Sequence, residues 1–187
     1  MKKIVYFLSL TCLFSFSQNE LNLEKSFVNW TGTQLSGKSH YGTLSFKSAS
    51  LTFNDDLLVG GNFVVDMTSL AVDDLTGKGK KSLEGHLKSD DFFSVSDFSV
   101  SELKLNSIER VSENEYSAAG DLTIKGYTHV AKVSFYLKEG SNNITAKLVF
   151  DRSKYNVRYG SGSFFENLGD RLILDDIELE ATLIMMK

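Results

Sequence analysis

Apolar and polar residues alternate with a period of two along most of this 187-residue chain, and that pattern most restricts what it can build. Successive side chains of an extended strand point to opposite faces, so a period of two buries one face and wets the other. Val133, Phe135 and Leu137 alternate with Lys132, Ser134 and Tyr136, and Ile144, Ala146, Leu148 and Phe150 alternate with Thr145, Lys147 and Val149. In the last segment Ile173, Ile177, Leu179, Ala181 and Leu183 share one face, broken by Asp175. Runs at 41–47, 50–53, 57–67, 99–108 and 116–124 read the same way. Turn chemistry separates the runs, as at Asn54-Asp55-Asp56 and Lys125-Gly126. With 14 Gly and no Pro, the turns rest on Gly, Asn, Asp and Ser. Eight or nine strands with short connections predict a single all-β domain, a meander that closes into a barrel or a sandwich. The period fails across 75–89, where Leu83 and Leu87 stand one helical turn apart and predict a short helix.

The N-terminus reads as an export leader. Lys2-Lys3 precede an apolar run at 4–14, and Ser15-Phe16-Ser17 offers small residues where a signal peptidase cuts. The expected division is a signal peptide over 1–17 and a mature domain over 18–187, periplasmic or secreted and without a stable membrane anchor. Cys12 is the only cysteine, and Thr11 before it fits a lipoprotein signal poorly. A mature chain without thiols excludes disulfides, thiolate metal sites and cysteine nucleophiles. The formal charge of −4 and the lack of a Lys/Arg stripe argue against nucleic acid as a partner.

Gly85-His86-Leu87-Lys88-Ser89-Asp90-Asp91-Phe92-Phe93 resembles the signature of the YceI-like family, exported lipocalin-like proteins associated with polyisoprenoid or other long-chain lipids. Gly120-Asp121-Leu122-Thr123-Ile124-Lys125-Gly126 resembles a second motif of that family. Trp30, Gly32, Gly42 and the run Phe150-Asp151-Arg152-Ser153-Lys154-Tyr155 fall in the same order, so the resemblance covers 21–185. The family's usual prolines after the two motifs are missing: Ser96-Asp97-Phe98-Ser99 and Thr128-His129-Val130 stand there. The resemblance implies an eight-stranded antiparallel barrel, with one short helix near its mouth and an elongated apolar channel. It also allows a homodimer.

Periodicity turns Phe63, Val65, Met67, Phe135, Leu137, Leu148, Phe150, Leu179 and Leu183 inward. Taken alone, that set fits plain core packing as well as a lipid site. The resemblance adds His86, Phe92 and Phe93 as ligand contacts, and makes noncatalytic binding of a polyisoprenoid, an isoprenoid quinone or a similar amphiphile the expected function. The alternative is a barrel filled by its own side chains, serving as an interaction module of the cell envelope. Lys78, Lys80, Lys81 and Lys88 concentrate positive charge near the expected mouth, where an anionic head group could meet them as point charges. The first three read as part of an exposed glycine-spotted loop. His40 and His129 stand alone and read as turn or surface residues. No histidine pair suits a metal, and no serine has His and Asp placed by motif, so neither a cofactor nor catalysis is expected.

Overall fold

The computed structural model describes residues 16–138 and 140–186. Nine strands and one helix follow in order: β1 (Phe16–Glu20), β2 (Phe27–Gln34), β3 (Ser39–Asn54), β4 (Leu57–Val72), α1 (Gly77–Lys88), β5 (Val100–Arg110), β6 (Glu115–Ile124), β7 (Tyr127–Leu137), β8 (Asn143–Asp151) and β9 (Ile173–Ile184). Strands β4 to β9 form an antiparallel meander, β9 pairs with β2, β2 with β3, and β3 returns to β4. The sheet is therefore a closed eight-stranded antiparallel barrel, and β1 lies outside that ring, paired with the far half of β3. The leader expected over 1–17 lies outside the described residues except for Phe16 and Ser17, which pair with Asn54 and Phe53. No helix among the described residues is long and apolar enough to cross a membrane.

The runs at 41–47 and 50–53 are one strand rather than two. A register shift between Phe46 and Ser48 inserts a residue against β4. Leu44 and Phe46 face inward before it, Ala49, Leu51 and Phe53 after it, so the bulge moves the buried set from even to odd positions. Strand β4 also runs on past 67 to Val72.

Two glycine positions set the frame of the mouth. A Cβ on Gly42 would stand 1.9 Å from the Ala71 carbonyl oxygen and 2.9 Å from Trp30 Nε1. Only glycine lets β3 pass this close while the Trp30 indole donates to that same carbonyl at 3.0 Å. In the β6–β7 turn, Lys125 (φ 51°) and Gly126 (φ 78°) are both left-handed, the geometry whose twist matches a two-residue hairpin.

Candidate functional site

Inter-strand register divides the barrel into levels. Phe150, Ile177, Gly32 and His40 are successive partners near the end covered by α1. One level down stand Leu148, Leu179 and Trp30, and below them Ala146, Ala181, Val28 and Leu44. The opposite end is packed with Leu21, Leu51, Ile144 and Leu183, each at most 1% exposed. Between the two ends lies a cavity of about 370 Å³. That volume lies in the roughly 300–1,000 Å³ range of small-molecule sites, well above the roughly 150 Å³ of an apolar cavity that takes up benzene. The interior is not filled by its own side chains. Ala146 and Ala181 face each other across β8–β9 in the cavity wall, and a methyl group at each position leaves the width that larger residues would occupy.

Of the inward set, Phe63, Val65, Met67, Phe135, Leu148, Phe150, Leu179 and Leu183 all line this cavity, as do His86, Phe92 and Phe93. Leu137 does not. It shares the face of Val133 and Phe135 but sits at the last position of β7, opposite Ile144, where the packed end begins. Phe135 is fully buried and stacks on Phe63 with ring centroids 6.3 Å apart; Phe46 continues the row at 6.2 Å from Phe63.

Helix α1 closes part of the mouth through Leu83, His86 and Leu87. Its anchor is polar: the Val72 N–H donates to Glu84 Oε1 at 2.9 Å, and Lys80 Nζ donates to the Val72 carbonyl at 2.5 Å. The Val72 N–H, outweighing a small effect of burial, holds the Glu84 carboxyl below its ordinary range, with Lys80 assisting. The glycine-spotted segment expected as a loop is thus the first turn of this helix, from Gly77. Docking at Val72 and the apolar pair Leu83 and Leu87 stabilise helix where local glycine content disfavours it. None of the four lysines lines the cavity. Lys80 lies 3.4 Å from Glu84, Lys88 donates to the Thr68 carbonyl at 2.8 Å, and Lys78 and Lys81 remain exposed.

The segment after the signature is held from two sides. Asp90 accepts from Ser94 Oγ at 2.7 Å. Lys125 Nζ donates to the carbonyls of Phe92 (2.8 Å), Asp90 (3.1 Å) and Asn156 (3.4 Å), so the hairpin motif clamps the signature motif directly. Burial pushes the Lys125 ammonium below its ordinary pKa, against the pull of Asp90 and Asp91.

Arg152 was legible only as a motif letter, yet it is 0% exposed. Its guanidinium donates to the carbonyls of Leu174, Val157, Tyr159 and Ile173 at 2.8–3.2 Å, lies 3.4 Å from Asp175 and stands 5.7 Å from the Phe92 ring centroid. Burial lowers its pKa against the attraction of Asp175 and Asp151, but a guanidinium remains charged. Asp175, the break in the apolar face of β9, is its counter-ion. Tyr159 then meets His86 edge-on at 4.3 Å, and Phe92 meets the same ring at 5.2 Å.

Of the two remaining histidines, His129 is exposed, as expected, and His40 is half-buried. His129 Nε2 lies 3.0 Å from the Lys154 carbonyl, and its ring abuts Tyr155. His40 is in the cavity wall, with Nδ1 2.7 Å from Asp74 Oδ2. Burial acts to raise the Asp74 carboxyl, but hydrogen bonds from His40 and the Tyr41 N–H outweigh it and hold the pKa below its usual value. The sequence signal for this pair was weak because 34 residues separate its members.

The chain matches the YceI-like domain over residues 20–185. No curated protein matches it. Among solved structures, BcnA of Burkholderia cenocepacia is 21% identical with a TM-score of 0.68, covering 89% of this chain and 99% of that one. A polyisoprenoid-binding domain from Saccharophagus degradans, implicated in plant cell wall breakdown, is 13% identical with a TM-score of 0.57, over 92% and 98%. The YceI protein of Campylobacter jejuni is 16% identical with a TM-score of 0.53, over 100% and 94%. These structures share the fold of this chain, and the domain match over nearly its whole length settles its kinship: the chain belongs to the YceI-like family.

Proposed function

We propose that this protein binds a long-chain apolar amphiphile, such as a polyisoprenoid, an isoprenoid quinone or a similar lipid, noncatalytically inside the barrel. The observation that carries the reading is the cavity itself, walled by carbon from Phe46 and Phe63 up to Leu83 and Leu87. Each methylene of a tail moved from water into such a wall gains on the order of 0.8 kcal/mol. The likeness to the polyisoprenoid-binding domain of S. degradans supports the same ligand class. A leader cleaved after residue 17 would carry the mature protein out of the cytoplasm, where a water-soluble shield for a lipid tail would serve as carrier, reservoir or sensor.

Native mass spectrometry of protein purified gently from its own cells tests both parts. A lipid adduct of defined mass on a chain beginning at Gln18, within a residue or two, is expected. Ligand-free spectra from repeated gentle preparations would overturn the lipid reading. A mature chain starting at a lipid-modified Cys12 would overturn the soluble one.

A further inference from the structure

We propose that His40, oriented by Asp74, is the polar anchor of the cavity and selects a ligand whose head group is a hydroxyl, an alcohol or phenol, over one that can only accept a hydrogen bond. This deepens the lipid-binding reading and rests on it.

The argument is one of tautomers. Neutral imidazole has one N–H and one lone pair, and its neighbours decide which nitrogen carries which. At 2.7 Å from His40 Nδ1, an ionised Asp74 carboxylate can only accept, so Nδ1 carries the proton. The Tyr41 N–H, 3.2 Å from Asp74 Oδ1, fixes the carboxylate in turn. In the neutral ring Nε2 is then the lone-pair nitrogen, and among the described residues it has no hydrogen-bond partner. It is therefore an acceptor in search of an O–H or N–H.

The surroundings favour an O–H at the end of an apolar tail. Gly32, the register partner of His40, has no side chain to cover the ring. Gln34, two residues along the same face of β2, also lines the cavity, and its side-chain amide has no hydrogen-bond partner among the described residues. A hydroxyl is both donor and acceptor, so it could donate to His40 Nε2 and accept from the Gln34 amide. An ether or ester oxygen could do only the second. His86 gives no such selection. Its ring is held by Phe92 and Tyr159, and among the described residues no carboxylate bonds it to fix its tautomer.

The test uses farnesol, farnesyl methyl ether and the hydrocarbon farnesene, titrated into the folded protein and read by fluorescence of Trp30. This residue is the only tryptophan, and it lines the cavity. The wild-type protein should bind farnesol about tenfold more tightly than the ether, the size of one good hydrogen bond. In Asp74→Asn the amide N–H donates to His40 Nδ1 and moves the ring proton to Nε2, so the ratio should fall to about one as the ether finds a donor. His40→Leu should also bring the ratio to about one while farnesene still binds. That variant carries the test should the first fail to fold. Equal affinities of alcohol and ether in the wild type, or a ratio unchanged in the variants, would overturn the anchor and leave the apolar cavity standing. Failure of all three compounds to bind would overturn the lipid reading and this proposal with it.

Discussion

The two ends of the barrel are held by different physics. The packed end, where Leu21, Leu51, Ile144 and Leu183 meet, is held by apolar burial, which is strong and non-directional. The mouth is held by charged side chains that grip backbone carbonyls and N–H groups, with Arg152, Lys125, Lys80 and Glu84 as its fasteners. A barrel that admits a ligand cannot fill its mouth with carbon. It can fix the loops there with directional bonds whose apolar stems take little of the lumen. The contrast predicts that polar substitutions loosen the mouth while leaving the far end folded.

The largest effect is expected at Arg152. Arg152→Met keeps the stem but leaves four carbonyls without their donor and Asp175 without its counter-charge, a change of about 3–5 kcal/mol. Chemical denaturation should show it, and hydrogen exchange should place the loss at 156–175 first. Uniform loss across both ends would break the contrast.

Phe135→Ala should come close behind. A core phenylalanine costs about 3–5 kcal/mol to truncate. Phe135 should fall at the lower edge of that range, because one side of its ring already meets the cavity. A loss at the top of the range would mean that the cavity wall packs like a filled core.

Lys125→Met removes the link between the two family motifs and should cost about 1–3 kcal/mol through the unpaired carbonyls of Phe92 and Asp90. Acid provides a milder version of the same experiment. The carboxyls of Asp66, Asp74 and Glu84 all have pKa values held below the ordinary range by hydrogen bonds. A carboxyl depressed in the folded state adds stability above its unfolded pKa, near 4, and that stability is lost as pH falls through the lower folded value. Amide exchange at Tyr41, Thr68 and Val72, whose N–H groups these carboxylates accept, should accelerate below about pH 4 before exchange at Phe135 does. Simultaneous acceleration would sink the idea of an acid-sensitive mouth.

The smallest effect is reserved for Lys78 and Lys81. Exposed charges contribute about 0–1 kcal/mol, so changing both to Gln should leave the melting temperature nearly unchanged. A marked loss of affinity for an anionic lipid in that variant, screened by salt, would restore the helix lysines as head-group contacts.

Strand content was legible because a period of two is written locally, residue against neighbour. The inward faces of β7, β8 and β9 followed from it, and so did eight residues of the cavity wall from Phe63 to Leu183, to which the resemblance added His86, Phe92 and Phe93. What escaped depends on register. One inserted residue between Phe46 and Ser48 turns the rest of β3 over, and nothing in the local pattern fixes where that residue goes. The His40–Asp74 pair requires β3 and the end of β4 to lie side by side, and Arg152 finds its carbonyls only after the chain has folded back from Leu174. Lys125 reaches Phe92 across 33 residues and Arg152 reaches Ile173 across 21, so a local window of sequence does not contain both partners of these bonds.

The seam between β2 and β9 has a consequence in time. It joins Phe27 to Thr182 and Gln34 to Ile173, so the ring cannot close until β9 is present to meet β2. Such non-local pairing places this barrel among slow folders, since the closure entropy of a long loop must be met before the contacts form. The usual other source of slow phases is missing, because a chain without proline has no prolyl bond to isomerise. Refolding should therefore run as a slow but single kinetic phase, untouched by prolyl isomerases, and a nascent chain lacking β9 should remain open along its whole length.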